Sequence, residues 1–506
     1  MKRIVIDPLT RLEGHGRVEI FLDEQGEVAN AYLIVPELRG FERFCVGRPA
    51  EEMPRIVNRI CGLCPEAHHL ASTKALDALF QVEPPPTASK LRELLHMSFF
   101  VADHATHFFI LAGPDFFLGP DAPPAERNLL GVFRQLGAAT TRKIVECRRR
   151  NKDVAQLLGG RRLHPAAGLP GGWSQPLTEE GRRQVEETAR ANVELAVEFL
   201  ELFEQVVLRN PDYAALIVSE TFTDRTYSMG TVDAAGRLNL YDGLIRVVDP
   251  EGAEVARFRP AEYEQHVAER VEPWSYVKFP YLKNIGWQGF VDGRESGIYC
   301  ASPLARFNAA DGLATPRAQE QYERMFETLG SRRVGGRYQP VHHRLATHWA
   351  RLIELLYAAE RMVELATDDA ITDPAVRAPV TATPSEGVGS VEAPRGTLFH
   401  HYRTDADGLL TAVNLIVGTT HNHAPIALSV KRAARGLIRR GQAISEGLLN
   451  RVEMVVRAYD PCFSCAAHTF PGGGDLTVTV RDHRGETLEQ RPLPERALRP
   501  LGPRRA

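Results

Sequence analysis

DPCFSCAAH, residues 460–468, poses the question on which the fold turns. Cys462 and Cys465 are separated by two residues, and His468 follows. A second pair stands near the other end of the chain, in RICGLCPEAHH (residues 59–69), where Cys61 and Cys64 precede His68. If the pairs meet, four sulfurs close on one centre and the chain wraps around it. If they stay apart, each is a local dithiol.

Size and composition narrow the field. The chain has 506 residues, a net charge of -3 and 43% hydrophobic residues, enough for one large core or a few domains. A near-neutral balance gives no basis for nucleic acid or an anionic membrane as main partner. Apolar runs such as HFFILAG and LTAVNLIVG are too short to span a bilayer. The start, MKRIVIDPLTRLEGH, lacks the apolar stretch of a secretory signal, so a cytoplasmic location is expected. Seven cysteines are too few, and odd in number, for a secreted disulfide scaffold. Cys45, Cys147 and Cys300 stand alone and read as small buried hydrophobes.

Periodicity predicts strands first. KRIVI is β-branched, and GRVEIFLDEQGEVANAYLIV alternates about a glycine-bearing turn. Helical patterns follow in PEAHHLASTKALDALF, with Pro65 at its start and Leu70, Leu76, Leu79 and Phe80 as its apolar stripe. Further helices are expected in SKLRELLHMSFFVADHATHFFILAG, EEGRRQVEETARANVELAVEFLELFEQVVLR, HHRLATHWARLIELLYAAERMVELA and ISEGLLNRVEMVVRAYD. TRKIVECRRRNKD is a basic patch, read as a solvated helix face or subunit contact rather than a nucleic-acid site. Residues 210–340 carry weaker patterns. Beyond His468, a glycine-rich linker leads to a small hairpin.

Four thiols suit structural zinc or an iron–sulfur cluster. They equally suit nickel or iron, because electron-rich sulfur stabilises metals that change oxidation state. Dithiol exchange fits least, since it calls for a short βαβ context that is missing here. Spacing leaves one metal or two open. Glu13, Asp103, Arg395 and Asp460 stand in apolar or glycine-bearing contexts, where a charge must be paired or used.

With RLEGHGRVEI, ELRGFE, ADHATHFF, GGRRLHPAAGLPGG, EAPRGTLFHHY and GTTHNH, the two thiol motifs resemble the large, catalytic subunit of nickel–iron hydrogenases. The likeness is greatest to the cytoplasmic multisubunit group, linked to heterodisulfide reductase or NAD(P). The resemblance implies a mainly α fold with α+β character: a central bundle of long helices, an N-terminal β-hairpin region and a peripheral lobe. It implies a subunit-wide domain over residues 1–468, comprising an N-terminal β region (1–60), a helical core (61–209), a mixed lobe (210–340), and helical core with the C-terminal metal motif (341–468). It also implies reversible oxidation of dihydrogen. Cys61, Cys64, Cys462 and Cys465 would bind nickel, with Cys64 and Cys465 bridging to an iron that carries carbon monoxide and cyanide. Glu13 would relay protons. Arg395 would lie over the metals, oriented by Asp103 and Asp460, with Pro394 and Thr420 in the same canopy and His68 donating to a bridging sulfur. Glu42 and His468 would hold a separate magnesium or second iron. A related respiratory-complex subunit shares the fold without the thiols, so a silent homologue and a structural four-cysteine zinc or iron–sulfur module are the alternatives.

Residues 469–506 would be a maturation peptide removed by a dedicated endopeptidase. No cysteine set remains for iron–sulfur clusters, and no GxGxxG stands in a strand–helix context. Electrons are therefore expected to leave through an iron–sulfur small subunit and on to diaphorase or heterodisulfide-reductase-type subunits.

Overall fold

The computed structural model describes residues 2–272, 274–468, 477–481 and 487–492. Alternation in the first thirty residues folds as the period dictates. Strands Lys2–Ile6, Arg17–Leu22 and Val28–Ile34 form an antiparallel sheet in that order. Val18, Ile20 and Leu22 face inward.

Helices Pro86–Thr106, Leu129–Gly159, Glu179–Phe203 and Thr347–Ala366 pack against one another as the central group. Each burial pattern follows from composition. Thr347–Ala366 is interior on nearly every face, while Glu179–Phe203 buries one stripe and exposes the other. The run Pro86–Phe117 is, by length and hydropathy, apolar enough to cross a membrane, contrary to the shorter runs counted from the sequence. Its most apolar window is 83% buried against the other helices, which accounts for its composition. The basic patch lies on the exposed side of Leu129–Gly159, where Arg149 and Arg150 pair with Glu146 and Asp153 on their own helix.

Between these helices, residues 227–300 contribute a four-stranded sheet in the order Tyr299–Cys300, Tyr227–Val232, Leu244–Val248, Glu254–Phe258. The segment 341–468, expected to be helical apart from its metal motif, also contains an antiparallel sheet. Its strands are Glu386–Ala393, Gly396–Thr404 and Leu410–Ile416. Helix Pro65–Leu79 lies directly on the first of these strands. Gly387 and Gly389 permit it: a Cβ at Gly389 would sit 2.1 Å from the Ala71 carbonyl oxygen and 2.2 Å from the Ala75 nitrogen. This contact fixes the first thiol motif relative to the Pro394–Arg395 turn at the strand's end. In the tail, Thr477–Arg481 and Thr487–Pro492 pair as an antiparallel hairpin. The rest of the expected maturation peptide lies outside the described residues.

Candidate metal centre

The two thiol pairs meet. The sulfurs of Cys61, Cys64, Cys462 and Cys465 all lie within 4.8 Å of one another, and all four residues are buried. Cys61 is 3.3 Å from Cys462, Cys64 is 3.4 Å from Cys465, and Cys462 is 2.8 Å from Cys465.

Local structure aims each pair. Cys64 caps helix Pro65–Leu79, and Pro65 begins it where a missing N–H costs nothing. Cys61 Sγ accepts the backbone N–H groups of Leu63 and Cys64, each at 3.1 Å. Burial opposes a thiolate at Cys61. Donation from the other three thiols and the charge of Arg395 more than offset it, and its pKa falls well below the usual thiol value. Burial pushes Cys462 and Cys465 the other way.

The second pair follows helix Glu446–Tyr459, which ends at Asp460 in the left-handed region (φ 54°, ψ 55°). Cys462 then caps the short helix Phe463–Ala466, and its N–H donates to Thr419 Oγ1 at 2.8 Å. The N-terminal loop clasps this turn: Phe463 N–H donates to the Glu13 carbonyl at 3.0 Å. Gly14 (φ +81°) makes the clasp possible, since a Cβ there would meet Ser464 N at 2.8 Å.

Four further expected residues converge. Glu13 is half-buried, with Oε2 2.9 Å from Cys462 Sγ and accepting Ser464 N–H at 3.2 Å. Arg395 is 2.9 Å from Asp460 Oδ2 and 3.3 Å from Asp103 Oδ1, and all three are buried. Burial disfavours the Arg395 charge, and Asp103, Asp460 and the thiols more than restore it. Burial pushes the Asp460 carboxyl up to about 7 against the pull of Arg395 and Arg351. Removing one member of such a buried set strands the charge of another.

A small cavity separates this arginine from the sulfurs. Cys64, Cys462, Cys465 and His68 line one part, and Ala393, Leu398, Val417, Gly418 and Thr419 another. Thr420 is the residue expected on this wall from the sequence. The structure puts Thr419 there, while the Thr420 hydroxyl is buried without a partner. Pro394 contributes its carbonyl to Arg351 Nη1 at 2.7 Å rather than a face to the cavity. His68 lies in the wall, but no hydrogen bond to a sulfur forms. Its Nδ1 faces His400 Nε2 at 3.2 Å, and its buried Nε2 has no partner.

Sequence pattern alone does not single out Arg351. It is fully buried, 3.6 Å from Asp460, and holds the backbone immediately before Arg395. The available signal is an arginine and Glu354 inside an otherwise apolar helix.

Glu42 and His468 meet at a separate place. His468 Nδ1 contacts the Cys465 carbonyl, and Nε2 is 2.5 Å from the Leu415 carbonyl and 3.7 Å from Glu42 Oε1. A neutral imidazole has one N–H. With that proton on Nδ1, the Nε2 lone pair, the Leu415 oxygen and the Glu42 carboxylate all face one point as acceptors, an arrangement suited to a cation.

The donor set fits a sulfur-bound metal pair: four convergent thiols, an apolar chamber beside them and a paired guanidinium above it. Zinc would accept the sulfurs, but has no use for the chamber or the guanidinium.

Comparison with known proteins decides between these. The nickel-dependent hydrogenase family matches residues 39–127 and 295–468, and a HoxL-like family matches residues 3–38. The chain is 48% identical over 489 residues to an F420-non-reducing hydrogenase iron-sulfur subunit of Archaeoglobus profundus, covering 97% of this chain and 99% of that one. It is 38% identical to the NAD-reducing hydrogenase HoxS subunit beta of Cupriavidus necator, again covering 97% and 99%. The solved structure of an NAD+-reducing [NiFe]-hydrogenase in the H2-reduced state superposes with a TM-score of 0.85 at 40% identity, covering 92% of this chain and all of that one. With its four thiols gathered in that fold, the chain belongs to the nickel-dependent hydrogenase family, as a large subunit whose reaction is the oxidation of dihydrogen.

Proposed function

We propose that Cys61, Cys64, Cys462 and Cys465 hold nickel, and that Cys64 and Cys465 also hold an iron carrying carbon monoxide and cyanide. Cavity position carries this reading: Cys64 and Cys465 line the chamber together with Arg395 and Thr419, whereas Cys61 does not. The apolar wall suits carbon monoxide, and the guanidinium and hydroxyl suit cyanide nitrogen. Bound there, the metal pair supplies the Lewis-acidic, redox-active centre that polarises dihydrogen.

The chain's own residues do the rest. Arg395 presents a fixed positive charge, held by Asp103 and Asp460. Glu13, beside Cys462 and half-open to solvent, takes the proton from that sulfur and passes it outward. Glu42, His468 and the Leu415 carbonyl hold magnesium or a second iron, pinning the C-terminal turn to the N-terminal region.

An iron–sulfur subunit docks over the Cys61–Cys64 loop, where Gly62 and Leu63 reach the surface beside Arg59, Arg161 and the exposed Leu163. Electrons continue to diaphorase or heterodisulfide-reductase-type subunits of a cytoplasmic complex. The family match ends at His468, which supports endopeptidase removal of residues 469–506. The test is hydrogen-dependent dye reduction by the purified complex. Cys64→Ser keeps the fold and loses the reaction. Retention of wild-type rates by that variant would remove Cys64 from the centre.

A further inference from the structure

Resting on the role of Glu13 above, we propose that protons reach solvent through Glu37 and His15, by way of the Ser464 hydroxyl. Glu13 Oε2 accepts the Ser464 backbone N–H at 3.2 Å, and on the far side of that residue its hydroxyl donates to Glu37 Oε2 at 3.1 Å. Glu37 Oε1 lies 2.7 Å from His15 Nδ1 and also accepts the His15 backbone N–H at 2.6 Å. The His15 side chain is 76% exposed and that of Glu37 17%. A carboxylate, a hydroxyl, a second carboxylate and an imidazole thus run from the thiols to water in order of rising access.

The loop is shaped for this. A Cβ at Gly14 would come within 3.2 Å of Glu37 Oε1, so a side chain there would wedge Glu37 from the turn. The nearest cation is Arg39, which reaches the Ser464 carbonyl at 3.4 Å and the Arg59 carbonyl at 3.3 Å without pairing to Glu37. Glu37 therefore keeps one oxygen for Ser464 and one for His15.

The transfer moves one proton with no change in total charge. Protonated Glu13 gives its proton to the Ser464 hydroxyl, directly or through one water. That hydroxyl releases its own proton to the Glu37 carboxylate. Glu37 passes it to His15 Nδ1, and the imidazolium returns a proton from Nε2 to buffer.

Two rates on the holo-complex separate the exit from the chemistry. Conversion of para- to ortho-dihydrogen needs only splitting and recombination. Formation of HD from D2 in light water also needs the proton to leave. For Glu37→Gln, HD formation should fall about tenfold while conversion stays within about twofold, the reach of one misplaced relay group. His15→Ala should do the same in weak buffer, and added imidazole should restore it. Glu37→Asp, which keeps a carboxylate, should recover much of the HD rate.

Wild-type HD formation in both Glu37→Gln and His15→Ala overturns the exit. Equal loss of both rates overturns it too, since that marks damage to the centre itself. Glu13→Gln distinguishes the two readings: normal HD formation there sinks the role of Glu13, whereas HD loss there with none in the other variants sinks only the Glu37–His15 route.

Discussion

Gly389→Ala tests whether the sheet truly sets the thiol geometry. The new Cβ would lie 2.1 Å from the Ala71 carbonyl oxygen and 2.2 Å from the Ala75 nitrogen, both in the body of helix Pro65–Leu79. A carbon–oxygen contact needs about 3.3 Å, so helix and strand must separate by about 1 Å. The helix carries Cys64 at its N-terminus, and the strand leads into Arg395. Metal–ligand distances tolerate only about 0.2 Å. Overpacking of this kind costs about 1–3 kcal/mol. If that strain is felt mainly in the closed, metal-holding arrangement, nickel retention weakens about 5–150-fold. The assay is nickel per chain in the purified variant, with circular dichroism to confirm the fold. Val388→Ala, on the same strand and not fully buried, serves as control and should keep its nickel. A folded Gly389→Ala protein with wild-type nickel and wild-type dye reduction would refute the coupling.

Other perturbations probe separate parts. Arg395→Lys keeps the charge but loses the planar fork, and should lower dye-reduction rate about 10²–10³-fold with nickel unchanged. A rate within twofold of wild type would remove the guanidinium from the chemistry. Glu42→Gln should abolish bound magnesium or the second iron and lower the melting temperature, as metal analysis and a thermal scan would show. Unchanged occupancy would dissolve that site. Burial holds His69 at about 4, and His96 and His348 at about 3, against an ordinary 6.5. The unfolded chain therefore binds more protons below pH 6.5. Stability is full above that value and falls as pH drops from 6.5 through about 4, by up to about 1.4 kcal/mol per pH unit for each histidine. Urea titrations across that window should show the decline, and flat midpoints would contradict it.

The parts legible in the sequence are those written in short-range pattern. The N-terminal alternation and the long apolar helices announce themselves through periods of two and 3.6, and CxxC followed by a histidine needs no tertiary context. The sheet at Glu386–Ile416 is harder. Its first two strands are buried on both faces around EAPRG, so they lack alternation, and their glycines read as turns when they serve helix contact. Thr419 and Thr420 are adjacent and chemically identical. Only the path of the chain after Ile416 decides which faces the cavity. The Leu415 carbonyl carries no side-chain signature at all. Arg351 is visible as a charge in an apolar helix, but its partner Asp460 stands at another helix's end, and nothing local joins them.

The central claim is that four distant thiols enclose one nickel–iron pair. Infrared spectroscopy with metal analysis of the purified complex tests it most directly. The expected result is about one nickel per chain together with iron, and carbon monoxide and cyanide stretching bands that vanish in Cys64→Ser. Zinc alone, with no bands in that region, would contradict it.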